Sequence, residues 1–217
     1  MKTAIVIGST GLTGGYLLAE LAANPTYSKI IVLVRKASQQ NNPKIEELVV
    51  DFNKLSDFKN KIIGDDVYCT IGTTIKKAGS QEAFSKVDLE YPLSIAKVAK
   101  ENGAKHFLLM SSLGANAASG NFYLKTKGTL ENNLRDLNFD SLSIFRPSIL
   151  LGPRSEFRLG EKIGIFFMRL FSFLLLGSLK KYRPIHVKQV AHAMVKAGQD
   201  GEKGVRVWES DGIRGFN

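Results

Sequence analysis

Cysteine and histidine are scarce in this sequence, which has one cysteine, Cys69, and three histidines among 217 residues. A single cysteine excludes an internal disulfide and any metal site built from several cysteines. The residues around His106 and His192 include no cluster of cysteines or carboxylates, so we expect no metal site. Because disulfides are typical of oxidising compartments, their exclusion favours a cytoplasmic location.

Long hydrophobic runs are also scarce. The first apolar stretch ends at Gly8, which is typical of a buried strand rather than of a secretory leader. The most apolar segment, residues 163–176, contains Arg169 and is shorter than the ~20 residues of a transmembrane helix. We expect it to form a core helix or the interface of a homodimer. The alternatives are an apolar lid over the substrate and contact with a membrane surface.

Acidic residues are outnumbered, since 30 Lys and Arg against 20 Asp and Glu give a net charge of +10. A basic surface favours anionic partners. The basic residues are scattered, however, and no basic stretch is interleaved with aromatic residues as in a nucleic-acid-binding surface. We therefore expect no specific nucleic-acid partner, and interpret the charge as a solvated surface that attracts a phosphate-rich cofactor.

The alternation of apolar β-rich runs with helix-like stretches predicts an α/β protein, a Rossmann fold with a doubly wound parallel sheet. The predicted strands cover 3–7, 30–34, 48–50, 67–71, 106–110 and 142–145, and the predicted helices 12–23, 81–102 and 122–137. We expect a single domain over residues 1–217, with a cofactor-binding core in 1–150 and a less regular substrate-side tail in 151–217. One more short strand is predicted in that tail, at Val205–Trp208.

A glycine-rich loop joins the first predicted strand to the first predicted helix. Its spacing is G-x-x-G-x-x-G: Gly8 permits a tight turn, Gly11 a close approach of pyrophosphate, and Gly14 close packing of the helix on the strand. Because the loop ends at a helix N-terminus, free N–H groups can bind phosphate oxygens there. The loop therefore predicts a dinucleotide-binding site.

The end of the second predicted strand distinguishes between two cofactors. An NAD site usually places an acidic residue about 20 residues after the loop, where it binds the ribose 2′-hydroxyl. Arg35 and Lys36 occupy this place, and a guanidinium can pair with a 2′-phosphate through two hydrogen bonds. We predict NADP(H) rather than NAD(H). The alternative interpretation is that Arg35 and Lys36 are ordinary charged residues at an exposed strand end.

Tyr123 and Lys127 form a Y-x-x-x-K motif on one face of a predicted helix. A neighbouring ammonium favours the phenolate, which makes the tyrosine usable as a general acid or base. Ser111 and Ser112 end the fifth predicted strand, at the edge where open α/β sheets bind ligands. A serine hydroxyl there can hydrogen-bond a substrate carbonyl oxygen, and either serine fits this role.

Together these motifs resemble the short-chain dehydrogenase/reductase superfamily, in its extended or atypical branch, and more narrowly its Tat-interacting-protein-like subgroup of NADPH-binding members. The glycine loop, the strand-end serines and Y-x-x-x-K occur in the family's order. Further residues that carry the resemblance are Val49–Phe52, Gly72–Thr74, Lys77–Gly79, Lys105–Phe107, Phe145–Pro147, Leu150–Leu151 and Arg154. The resemblance covers residues 3–160 well and the tail poorly.

The resemblance implies a role for each matching residue. Ser9, Thr10, Gly11 and Leu12 would surround the pyrophosphate, with Arg35 and Lys36 at the 2′-phosphate and Asp51 near the adenine. Gly72 and Thr73 would lie along the middle of the cofactor, Lys127 would hold the nicotinamide ribose, and Arg146 and Pro147 would shape the nicotinamide end. Pro184–Val187 resembles the segment that returns the chain to the sheet in extended relatives, and we interpret His186 within it as structural.

The expected function is that of an NADPH-dependent oxidoreductase, which reduces a small-molecule carbonyl or oxidises the corresponding alcohol. Tyr123 would be the general acid or base. Two alternatives stay open: an NAD(P)-dependent epimerase, and a non-catalytic NADPH-binding regulator that acts through a protein partner.

Overall fold

The computed structural model describes residues 1–38, 40–153 and 177–216. Segment 163–176, with its expected core, interface, lid or membrane role, lies outside the described residues, as does Arg154. A seven-stranded parallel sheet forms the centre of the described part, with helices on both faces. The predicted Rossmann fold is confirmed.

The sheet order is β3-β2-β1-β4-β5-β6-β9, and β7 pairs with β8 in a separate two-stranded ribbon. The strands are β1 (Lys2–Ile7), β2 (Tyr27–Val34), β3 (Ile45–Val49), β4 (Asp66–Cys69), β5 (His106–Met110), β6 (Ser141–Arg146), β7 (Leu150–Leu151), β8 (Ile185–His186) and β9 (Gly204–Glu209). The helices are α1 (Leu12–Ala23), α2 (Ile75–Ala78), α3 (Gln81–Ser85), α4 (Tyr91–Glu101), α5 (Phe122–Asp136), α6 (Val187–Asp200) and α7 (Ser210–Ile213). Two 3₁₀ helices cover Leu55–Lys61 and Gly177–Tyr182, and a π-helix covers Lys86–Glu90.

The sequence of β1 explains why it is central. Ile5 and Ile7 are fully buried on the face that packs against α4 and α5. Ala4 and Val6 are fully buried on the opposite face, against α1 and α6. An uninterrupted apolar run is typical of a parallel strand that is covered on both sides.

The described part of the tail, residues 151–153 and 177–216, is more regular than expected, and its substrate-side role stays a prediction. The predicted strand at Val205–Trp208 is longer, and as β9 it extends the sheet beside β6. Helix α6 was not predicted, and it packs against α1. The tail therefore supplies one edge strand of the sheet and part of the helical layer on one of its faces.

The predicted helix over residues 81–102 is divided into α3, a π-helical turn and α4. Pro92 lies in the first turn of α4. Proline has no N–H to donate to the carbonyl of Asp88, four residues earlier, so a regular α-helix cannot continue through this point. A π-turn accommodates the break, and such turns often occur at functional sites.

A buried polar network joins the start of the chain to α6 at the amino edge of the sheet. The Lys2 ammonium donates to Asp66 Oδ2 at 2.9 Å and to the carbonyl oxygen of Gly198 at 3.0 Å. The Tyr27 hydroxyl donates to the same Asp66 oxygen at 2.6 Å, and a Cβ atom on Gly198 would overlap the hydroxyl of Tyr68. Burial raises the pKa of Asp66. The network requires glycine at position 198, since any side chain there would displace it.

His106, in β5, is expected to make the protein sensitive to acid. Its Nε2 atom lies 2.7 Å from the Ser143 hydroxyl, and burial, with the charges of Arg206 and Lys2, lowers its pKa to about 3. The unfolded chain binds a proton at this residue near pH 6.5 while the folded protein does not, so stability is full above pH 6.5 and falls as the pH drops toward 3. The loss approaches about 1.4 kcal/mol per pH unit.

Urea unfolding measured between pH 7.5 and pH 5 tests this expectation. The free energy of unfolding of His106→Gln should fall less steeply with acid than that of the wild type. Equal slopes for the two proteins would contradict a neutral His106 in the folded state.

Candidate functional site

The glycine loop lies between β1 and α1, at the carboxyl edge of the sheet. Gly8 has a φ of +88°, and a Cβ atom there would lie 2.5 Å from the backbone nitrogen of Ile71. A Cβ atom on Gly14 would overlap the carbonyl oxygen of Gly8. Position 8 requires glycine because of its positive φ and the close Ile71 backbone, and position 14 requires it because α1 packs directly on the loop. The Thr70 hydroxyl donates to the carbonyl oxygens of Ile7 and Gly8, at 3.1 and 3.2 Å, which holds the loop in place.

The N-terminus of α1 is open toward this loop. Gly11 is the N-cap residue, no side chain in the described part of the chain caps the helix, and the first turn contains no acidic residue. Thr10 is exposed beside the opening, and Ser9 and Leu12 are half-buried. Free N–H groups at the positive end of a helix dipole bind anions, so the predicted loop residues fit a pyrophosphate.

Thr13, in the first turn of α1, was not predicted as a site residue. Its side chain is buried, and its hydroxyl has no hydrogen-bond partner among the residues that the structure describes. Buried hydroxyls are normally paired, so this hydroxyl is a candidate to bind a ligand oxygen beside the loop. The sequence could not indicate this, because only the packing shows that the hydroxyl is enclosed.

A cavity of about 470 Å³ lies where the carboxyl ends of β2 and β3 meet. Arg35 and Asp51, which were expected at the adenosine part of the cofactor, both line it, whereas Lys36 is exposed and does not. The Asp51 carboxylate accepts hydrogen bonds from the backbone and side-chain nitrogens of Asn53, both at 2.9 Å, and these bonds lower its pKa. The cavity therefore presents a guanidinium and a carboxylate that stays ionised.

Aromatic rings form part of the wall of this cavity. Phe52, Phe58 and Tyr91 line it, and the ring centroids of Phe52 and Tyr91 are 5.2 Å apart. Such apolar walls suit a flat heterocyclic base. Phe58 and Tyr91 were not predicted, because they come from a 3₁₀ helix and from α4, which lie far from the glycine loop in sequence.

Lys127 and Asp88 form a buried ion pair next to the loop that follows β4. Lys127 Nζ lies 2.8 Å from Asp88 Oδ1, and the side chains are 6% and 1% exposed. Asp88 Oδ2 accepts the backbone N–H of Thr73 at 2.8 Å, and a Cβ atom on Gly72 would lie 3.3 Å from Asp88 Oδ1. Burial acts to lower the pKa of Lys127, but the charge of Asp88, aided by Tyr123, outweighs it and raises that pKa. The predicted residues Gly72, Thr73 and Lys127 thus meet at an aspartate that the sequence reasoning missed.

Tyr123 lies in the first turn of α5, one turn before Lys127. The Asn121 side chain caps this helix by accepting the N–H of Leu124 at 3.1 Å. Lys127 Nζ lies 6.0 Å from the centroid of the Tyr123 ring, which also packs against Phe84 at a centroid distance of 5.8 Å. The structure therefore brings the tyrosine and the lysine together on one face of α5, and the tyrosine is half-buried.

The two strand-end serines have different surroundings. Ser111 is 5% exposed, and its hydroxyl donates to Glu131 Oε1 at 2.5 Å. Ser112 is half-buried, and its hydroxyl makes no hydrogen bond to the residues that the structure describes. Ser112 is therefore the serine that is available to a ligand.

Arg146, which is expected at the nicotinamide end, is bound by the carboxylate of Glu131. Its Nε atom donates to Glu131 Oε1 at 3.0 Å and its Nη2 atom to Glu131 Oε2 at 2.5 Å. Hydrogen bonding to Glu131 raises the pKa of Arg146. The guanidinium is thus engaged by the protein, because the carboxylate of Glu131 is fully buried and needs a counter-charge. The backbone oxygen of Pro147 accepts the N–H of Leu113 at 3.0 Å.

Within residues 1–38, 40–153 and 177–216, no group of three or more His, Cys, Asp or Glu side chains could hold a metal ion. The helices of the same residues include none that is long and apolar enough to cross a membrane.

His186, which was interpreted as structural, caps α6, since its Nδ1 atom accepts the N–H of Lys188 at 3.2 Å.

Comparison with known proteins agrees with this geometry. A family model described as NAD(P)H-binding matches residues 8–162. The chain belongs to this NAD(P)H-binding family. Among curated members, protein HTATIP2 of Rattus norvegicus is 40% identical over 164 residues, which are 74% of this chain and 67% of that protein. The mitochondrial protein FMP52 of Lodderomyces elongisporus is 35% identical over 211 residues, which are 92% of this chain and 88% of that protein. The resemblance inferred from the motifs is confirmed.

Solved structures show how widely the fold of this NAD(P)H-binding chain occurs. The enzyme WbmH of Bordetella bronchiseptica in complex with NAD+ superposes with a TM-score of 0.70 at 17% identity, covering 97% of this chain and 76% of that one. UDP-glucose 4-epimerase of Thermotoga maritima gives 0.69 at 15% identity, covering 99% and 83%. At these identities the likeness shows the fold alone.

The expected cytoplasmic location is wrong in the light of these relatives. FMP52 from Candida albicans, 41% identical over 70% of this chain and 68% of its own length, is named as a mitochondrial protein, as is the L. elongisporus protein. A single cysteine excludes an internal disulfide but does not identify the compartment.

Proposed function

We propose that this NAD(P)H-binding protein is an oxidoreductase that uses NADPH to reduce a carbonyl group, or oxidises the corresponding alcohol. The observation that carries the proposal is the meeting of Tyr123 with the Lys127–Asp88 ion pair at the carboxyl edge of the sheet. This is the edge at which α/β proteins of this class bind their ligands, and the glycine loop lies along it.

Each side chain has a chemical role in this proposal. The Tyr123 hydroxyl donates a proton to the carbonyl oxygen during reduction, or its phenolate accepts the proton of the alcohol during oxidation. Ser112 donates a hydrogen bond to the same oxygen and stabilises its developing charge. Lys127 holds the nicotinamide ribose and keeps a positive charge near the phenol. When bound, the cofactor supplies the hydride that the carbonyl carbon accepts.

The assay is consumption of NADPH by the purified protein with a panel of aldehydes, ketones and quinones. We expect stoichiometric conversion of at least one carbonyl to its alcohol. Tight NADPH binding without turnover of any compound would contradict the proposal and favour the regulator. Conversion of a substrate to its epimer without net loss of the cofactor would favour an epimerase instead.

We also propose that NADPH is preferred over NADH, and that Arg35 is the reason. Arg35 lies in the cavity beside Asp51 with its guanidinium exposed, so a 2′-phosphate can pair with it at little cost. A charge-assisted hydrogen bond contributes about 1.5–3 kcal/mol, so Arg35→Ala should weaken NADPH binding by about 10- to 100-fold and leave NADH binding nearly unchanged.

Fluorescence titration of both cofactors tests this preference. Lys203→Ala, which removes a positive charge from the residue before β9 at the opposite edge of the sheet, is the matched control and should bind both cofactors as the wild type does. Equal affinities of the wild type for NADPH and NADH would exclude the preference.

The mitochondrial names of the fungal relatives favour a mitochondrial location for this chain as well.

A further inference from the structure

Glu131 is a fully buried carboxylate on the same face of α5 as the proposed catalytic residues. It follows Lys127 by one helical turn and Tyr123 by two, and its side chain is 0% exposed. An ionised carboxylate is costly to bury unless donors satisfy its oxygens. Its partners therefore indicate what it does for the fold and for the site.

Those partners come from the ends of two neighbouring strands. The Ser111 hydroxyl, which follows β5, donates to Oε1 at 2.5 Å. Arg146, the last residue of β6, donates to Oε1 at 3.0 Å through Nε and to Oε2 at 2.5 Å through Nη2. A second guanidinium, that of Arg135, lies 3.6 Å from Oε2. One side chain thus joins α5 to the carboxyl ends of β5 and β6.

The backbone on both sides of Ser112 is fixed to β6 and to the residue that follows it. The N–H of Ser111 donates to the carbonyl oxygen of Phe145 at 2.7 Å, and the N–H of Leu113 donates to that of Pro147 at 3.0 Å. Ser112 lies between these two bonds, and its own hydroxyl has no partner in the part of the chain that the structure describes. The position of the Ser112 hydroxyl relative to α5 is therefore set by how β5, β6 and α5 are joined.

We propose that Glu131 is a positioning residue, which through Ser111 and Arg146 holds Ser112 in register with Tyr123. The inference rests on the proposed oxidoreductase function, since Ser112 and Tyr123 would act there on the same oxygen atom. Glu131 itself does not contact the substrate. Loss of its charge would leave the cofactor site intact and move the serine relative to the phenol.

The test is Glu131→Gln, with Asp136→Asn as the matched control. Asp136 lies on the exposed side of the same helix, so its substitution removes a carboxylate without affecting the serines. A displacement of about 1 Å at a reacting group can cost about 100-fold in rate, so Glu131→Gln should lower kcat by about that factor while the Kd for NADPH changes less than about 3-fold. Asp136→Asn should match the wild type in both quantities.

A second variant covers the case in which Glu131→Gln does not fold. Ser111→Ala keeps the Glu131–Arg146 pair and removes only the link to β5, and it should lower kcat about 10-fold with an unchanged Kd for NADPH. If the folded variants retain the kcat of the wild type, or if kcat falls only in proportion to the folded fraction, Glu131 is structural and the inference is wrong.

Amide hydrogen exchange separates this inference from the proposed function, because it needs no substrate. The N–H groups of Ser111 and Leu113 should exchange faster in Glu131→Gln than in the wild type, and not in Asp136→Asn. If the wild-type protein reduces no carbonyl, the proposed function fails, and this exchange still decides whether Glu131 holds the strand end. Unchanged exchange at both amides would overturn the positioning role.

Discussion

Replacing Tyr123 with phenylalanine is expected to lower kcat for carbonyl reduction by about 100- to 10,000-fold, the usual contribution of a positioned general acid. The substitution removes one oxygen atom from a half-buried ring that Phe84 and Lys127 hold in place, so the fold and the Kd for NADPH should not change. Steady-state kinetics together with a cofactor titration measures both effects.

Tyr182→Phe is the control for this substitution. Tyr182 is 47% exposed and has no place in the proposed mechanism, so its loss of a hydroxyl should leave kcat unchanged. Turnover that persists at the wild-type rate in Tyr123→Phe would reject Tyr123 as the proton donor.

The second large effect is expected for Gly14→Ala, which should weaken NADPH binding by at least about 100-fold, or about 2.7 kcal/mol. The new methyl group would overlap the carbonyl oxygen of Gly8 and lie 2.8 Å from the Thr70 hydroxyl. The Gly8 oxygen is part of the backbone, and the Thr70 hydroxyl is held by hydrogen bonds to backbone carbonyls, so neither can easily move aside. Helix α1 would therefore have to move away from the loop, and its free N–H groups would leave the pyrophosphate site.

Gly15→Ala is a control one residue further along the same helix. The nearest atom to a Cβ there is the Ser9 carbonyl oxygen at 3.7 Å, an ordinary contact. Alanine is preferred to glycine inside a helix by about 1 kcal/mol, so this variant should bind NADPH normally and unfold at a slightly higher urea concentration. Normal NADPH binding by Gly14→Ala would contradict the proposed site.

Elements with strong local signals were predicted closely. α1 and β5 have the predicted bounds, because Asn24–Pro25 ends the helix and a continuous apolar run before Ser111 defines the strand. Other bounds were shifted: β2 begins at Tyr27 and β3 at Ile45, each three residues earlier than predicted. The polar residues at the starts of these two strands can be part of the sheet because the neighbouring strand forms hydrogen bonds with their backbone. These hydrogen bonds cannot be inferred from a single sequence.

The residues expected to contact the cofactor could largely be predicted from the sequence, but the buried acidic residues that hold them in place could not. Gly8, Arg35 and Tyr123 belong to motifs with fixed spacing. Asp88 and Glu131 are single acidic residues among other charged residues on helices, and their importance depends on being buried beside Lys127 and Arg146. The choice between Ser111 and Ser112 also depended on tertiary contacts, because adjacent residues at a strand end point to opposite sides.

The contact between Lys2 and Gly198 has a consequence for the order of events during synthesis. These residues are separated by 196 positions, yet the ammonium of one donates to the carbonyl of the other. Strand β1 is synthesised long before α6, so this polar network cannot be completed until α6 has been made. The strand partners of β1, β2 and β4, are available early, whereas α6 is added to one face of the sheet late, and contacts of such long sequence separation slow folding.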